Sequence, residues 1–90
     1  MKQNILIVDD QRPNLVALEA TLAELEINII AATSGPEALS ILLKQNVALV
    51  LLDVQMPGMD GFEVAGLMRQ RGKTRHTPII FLTAINKEDS

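Results

Sequence analysis

Residues 47–64 read VALVLLDVQMPGMDGFEV. Six apolar residues, Val47 to Leu52, run without a break and end on the charge of Asp53. A continuous run of this kind fits a strand buried on both faces, as in a parallel sheet. A turn follows at once in Met56-Pro57-Gly58-Met59, where Pro57 and Gly58 are turn formers and Met56 and Met59 packing residues. Asp60 with Glu63 three residues on then has the spacing of a helix N-cap. Strand, acid, turn and capped helix in this order make a β–α unit whose acid stands where the strand emerges.

The rest of the chain repeats that unit. Three more apolar runs, Ile5–Val8, Ile27–Ala32 and Ile79–Leu82, have the same continuous character. A helix is expected from Pro13 to Leu25, with Leu15, Leu18, Leu22 and Leu25 on one face and Pro13 in the first turn. A second opens at Ser34, with Glu37 at capping-box spacing and Ala38, Leu39, Leu42 and Leu43 as its apolar face. The third opens at Asp60 and stops near Gly72. Strand–helix three times and then a fourth strand implies right-handed crossovers and an α/β fold, with helices on the faces of a parallel sheet.

Composition narrows the function classes. Ninety residues make one domain at most. With 48% hydrophobic residues the chain is far from a disordered composition. Its net charge of −3 gives no basic stripe for direct nucleic-acid binding. No cysteine is present, so disulfides and thiolate metal sites are excluded, and a cytoplasmic location is the compatible one. The longest apolar run is far too short to span a bilayer, so no membrane partner is expected.

In an open parallel sheet, ligands bind beyond the carboxyl ends of the strands. The first strand ends in Asp9-Asp10, the third in Asp53 and the fourth in Thr83. If strands one and three are neighbours, three carboxylates and a hydroxyl share one rim. Each feature alone is ordinary loop or cap chemistry; together they point to a divalent cation that removes the repulsion among the acids. All-oxygen ligands with room for water favour magnesium. A carboxylate held there can also attack phosphorus as a nucleophile.

These residues resemble a known family. Asp9-Asp10 after ILIV, Asp53 after VALVLL, MPGMDG at 56–61 and PIIFLTA at 78–84 are similar, in order and spacing, to the receiver domain of two-component response regulators. The resemblance implies a flavodoxin-like sheet of order 2-1-3-4-5. It implies that Asp53 accepts a phosphoryl group from a phosphohistidine of a histidine kinase or phosphotransfer domain. Asp10 and Asp53 would be direct Mg²⁺ ligands (Mn²⁺ as the substitute), Asp9 would help directly or through water, and the backbone carbonyl of Gln55 would be a further ligand. Thr83 would be the switch hydroxyl, with small Ala84 beside it. The implied role is a signalling phospho-acceptor that assists its own phosphorylation and dephosphorylation, not an enzyme with a separate substrate.

The departure lies at the end of the sequence. Family members carry a lysine on a fifth strand and two further helices, so residues 1–90 are expected to be a receiver domain that stops after strand four, with order 2-1-3-4. Lys87 is not expected to replace that lysine, and Lys73 and Arg75 lie before strand four, at the opposite rim. Strand four would then be an edge, and self-association is expected. The alternatives are a receiver-like interaction module that is not phosphorylated, an inert fragment of a longer response regulator, or an aspartyl phosphatase. The last would need an acid two residues after Asp53, where this sequence has Gln55.

Overall fold

The computed structural model describes residues 2–82. Its elements run β1 (Gln3–Val8), α1 (Arg12–Thr21), β2 (Ile27–Ala32), α2 (Gly35–Lys44), β3 (Leu49–Asp53), α3 (Gly61–Gln70) and β4 (Ile79–Leu82). The strands form one sheet of order β2-β1-β3-β4, and every pairing is parallel.

The continuous apolar runs have the physical meaning expected of them. Side chains alternate across a strand, so a strand covered on both faces must be apolar at every position. Leu6, Val8, Val50 and Leu52 point to one face, where Ala38, Leu39 and Leu42 of α2 and Val64 and Met68 of α3 cover them. Ile5 and Ile7 point to the other face and pack with Leu15 of α1. Met56 is buried in the first cluster and Met59 packs against it, so both methionines of the turn serve the core.

Helix and strand limits differ from the sequence pattern in instructive ways. α1 ends at Thr21, not Leu25. Ala23 N–H bonds Ala20 O and Leu25 N–H bonds Leu22 O, so the chain tightens into three-residue turns that deliver it to β2 at Ile27. Leu25 is consequently 55% exposed rather than on the buried face. Leu43 is also exposed, because it lies about 100° around α2 from Leu42. β3 starts at Leu49, two residues late: Ala48 N–H still bonds Asn4 O, but the Cα register begins with Ile5 opposite Leu49. α3 ends at Gln70 with Arg71 as its C-cap, so Gly72 stands just past the helix, where its stop is expected.

The helix starts follow their signals closely. Asp60 and Glu63 form a reciprocal capping box, each side chain accepting from the other's backbone N–H at 2.9 Å. At α2, Ser34 Oγ accepts from Glu37 N–H at 3.2 Å. The Glu37 carboxylate reaches one residue further back and accepts from the N–H and hydroxyl of Thr33. Beyond α3, the Arg69 guanidinium donates to the carbonyls of Thr74, Arg75 and Thr77, tying down the loop that leads into β4.

Candidate functional site

Because β1 and β3 are neighbours and Val8 stands opposite Leu52, the next residue of each strand, Asp9 and Asp53, emerges at the same rim. Asp10 follows at once. One carboxylate oxygen from each of Asp9, Asp10 and Asp53 lies within 4.8 Å of the others. Asp53 is 1% exposed and Asp9 5%, while Asp10 is half-buried.

Like charges at that separation repel by roughly 3 kcal/mol a pair at an effective permittivity of about 20. Local donors meet part of this. Asp9 accepts from Gln11 N–H at 2.9 Å and from the Asn14 side-chain amide at 3.2 Å. Asp53 Oδ1 accepts from Gln55 N–H at 3.3 Å. The donor set of three carboxylates, with no thiol anywhere in the sequence, fits a hard divalent cation that keeps water in its shell.

Beside the acids lies a cleft of about 470 Å³ lined by Asp10, Val54, Gln55, Met56, Pro57, Asp60 and Phe62. Asp10 therefore belongs to both the carboxylate cluster and the cleft wall. Phe62, at the start of α3, packs on Phe81 of β4 with ring centroids 5.1 Å apart.

The turn that carries β3 into α3 rests on two glycines. Gly58 has φ of +78°, a conformation that side chains rarely adopt. Gly61 packs onto the backbone of the site: a Cβ there would clash with the carbonyl oxygen of Asp53. Gly61 N–H also bonds Val54 O at 2.9 Å. The helix start is thus braced directly against the residue that carries the central carboxylate.

The sequence placed Asp9, Asp10 and Asp53 together, and the structure brings them together. Gln55 is at the site through its backbone, with its side chain exposed. Thr83, Ala84 and Lys87 lie outside the described residues. Lys73 sits at the far rim, where its ammonium donates to Leu43 O at 3.3 Å. Two contributors escaped the sequence reading. Gly61 had a signal, as the last residue of MPGMDG; Asn14 had none beyond being a polar residue in the first turn of α1.

With this geometry in view, the likenesses to known proteins are specific. The response regulator receiver domain family matches residues 5–90, and the chain belongs to that family. Receiver domains are signalling phospho-acceptors. The response regulator PleD of Caulobacter vibrioides is 40% identical over 86 residues, which are 96% of this chain and 19% of that protein. A probable cyclic di-GMP phosphodiesterase of Vibrio cholerae is 45% identical over 86 residues, 94% of this chain and 19% of that protein. The chain thus spans about a fifth of the length of these relatives. Among solved structures, a chemotaxis response regulator of Vibrio cholerae superposes with a TM-score of 0.87 at 28% identity, covering 99% of this chain and 76% of that one. A response regulator of Thermotoga maritima, solved in complex with Mg²⁺ and BeF, gives 0.83 at 38% identity, covering 97% and 76%. No helix among the described residues is long and apolar enough to cross a membrane.

Proposed function

We propose that this chain is the phospho-accepting receiver of a two-component phosphorelay, with Asp53 as the acceptor. The observation that carries the reading is the convergence of Asp9, Asp10 and Asp53 within 4.8 Å at the carboxyl rim of the sheet. A Asp53 oxygen attacks the phosphorus of a phosphohistidine on a histidine kinase or phosphotransfer domain. The P–N bond breaks as the P–O bond forms, and the imidazole leaves with the electron pair. Asp10 and Asp53, with the backbone carbonyl of Gln55, would hold Mg²⁺, and Asp9 would support it; the ion would supply positive charge against the transferring phosphoryl oxygens. Thr83 is proposed as the hydroxyl that meets the phosphoryl group. The Mg²⁺ and BeF held by the Thermotoga maritima relative support the same chemistry here.

Acetyl phosphate tests the reading. Incubation with Mg²⁺, reduction with borohydride and mass-spectrometric mapping should mark Asp53 alone, and removing Mg²⁺ should abolish the mark. A mark on Asp60, or one indifferent to Mg²⁺, would overturn the assignment.

The 90-residue chain is also proposed to self-associate along β4. Among the described residues β4 is an edge strand, and Ile80 and Phe81 are 52% and 40% exposed. Phe62, 60% exposed, packs against Phe81. Edge strands with exposed apolar side chains favour pairing with a second copy. Sedimentation should show dimers that Phe81→Lys weakens; a monomer at high concentration contradicts the proposal.

A further inference from the structure

Asp9 is held on both sides before any ion arrives. Its Oδ1 accepts from Gln11 N–H at 2.9 Å and its Oδ2 from Asn14 Nδ2 at 3.2 Å. Asp9 is 5% exposed as a residue, and these two donors, one on each oxygen, fix the plane of its carboxylate. The Asn14 donor stands on a rigid support. Its backbone N–H bonds Gln11 O at 3.0 Å, and the next residue, Leu15, is buried at 4% in the core against Ile5 and Ile7. Asn14 itself is exposed, so its amide can be altered without opening a cavity in the core.

We infer that Asn14 is a positioning residue for the carboxylate cluster: through Asp9 it sets how tightly the site takes a divalent cation. The inference rests on the metal reading above. A carboxylate has about four lone-pair positions. With one on each oxygen taken by Gln11 and Asn14, positions remain to accept from a cation's coordinated water, and one Asp9 oxygen lies within 4.8 Å of oxygens of Asp10 and Asp53. Without the Asn14 amide, Oδ2 is free to swing and the repulsion from its two acidic neighbours turns it away. Groups that orient metal-binding carboxylates typically change affinity by about 10–100-fold when removed.

Mg²⁺ affinity measured by titration calorimetry decides the matter, using wild type, Asn14→Ala, Asp9→Asn and the double variant. Asn14→Ala should weaken Mg²⁺ binding about tenfold in the wild-type background and by less than about twofold in the Asp9→Asn background, because coupled residues are not additive. Alanine is the better helix former, so an effect on α1 alone would raise the melting temperature instead of lowering affinity. Equal affinity for wild type and Asn14→Ala, or the same loss in both backgrounds, overturns the inference. Absence of Mg²⁺ binding by folded wild type overturns the metal reading beneath it.

Discussion

Saturating Mg²⁺ is expected to raise the melting temperature of this chain by on the order of 10 °C, and Asp10→Ala is expected to remove most of the rise. An ion present at a hundred times its dissociation constant, and bound only by the folded state, contributes about 2.7 kcal/mol. For a domain of this size each kcal/mol moves the midpoint by roughly 4–8 °C. The shift is large because the ion meets three carboxylates already gathered within 4.8 Å, two of them buried. Asp10 is the informative substitution. It is half-buried and lines the cleft, so its loss removes one of the three clustered carboxylates without emptying the core. A calorimetric scan with and without Mg²⁺ reads the effect directly; identical midpoints for folded wild type would count against the centre.

Gly61→Ala should be as damaging in a different way. The added methyl would clash with the Asp53 carbonyl oxygen and lie 3.0 Å from the Val54 Cα. Both are backbone, so no rotamer change relieves the clash, and the start of α3 must move away from β3. Overpacking of this kind costs about 1–3 kcal/mol. Because the displaced strand end carries the central carboxylate, the Mg²⁺-dependent rise in melting temperature should disappear with it. Gly66 in the same helix is the control. Nothing lies within 4 Å of a Cβ built there, and Gly66→Ala should stabilise by about 0.5–1 kcal/mol through helix propensity alone. Denaturant melts of the two variants should therefore shift in opposite directions; a shift in the same direction would mean that the contact at Gly61 is not tight.

What the sequence made legible follows a physical division. Continuous runs such as Val47–Leu52 can be satisfied only by burial on both faces, so the sheet type could be read from them. The capping spacing of Asp60 and Glu63 likewise depends only on local geometry and was found as a reciprocal pair. Limits set by neighbours were not legible. The late start of β3 comes from its register with β1, and the early end of α1 from turn bonds at Ala23 and Leu25. Leu25 and Leu43 look like core in a pattern of apolar spacing, yet Leu25 lies beyond the end of α1 and Leu43 stands one residue around α2 from Leu42, and both are exposed. At the site the same division holds. Strand ends could be read, so Asp9, Asp10 and Asp53 could be grouped. Asn14 bonds Asp9 and Gly61 packs on the Asp53 backbone; MPGMDG marks Gly61 as a turn position without announcing that contact, and nothing in the spacing marks Asn14.

We propose that Asp53, with Mg²⁺ held by its acidic neighbours, is where the phosphoryl group is bound. Fluorine NMR of beryllofluoride tests this without requiring turnover, because BeF stands in for the phosphoryl group on a carboxylate oxygen. Wild-type chain with Mg²⁺ should show bound fluoride resonances that vanish on chelation of Mg²⁺ and are absent from folded Asp53→Ala. The same resonances in Asp53→Ala, or none in folded wild type at saturating Mg²⁺, would contradict the account.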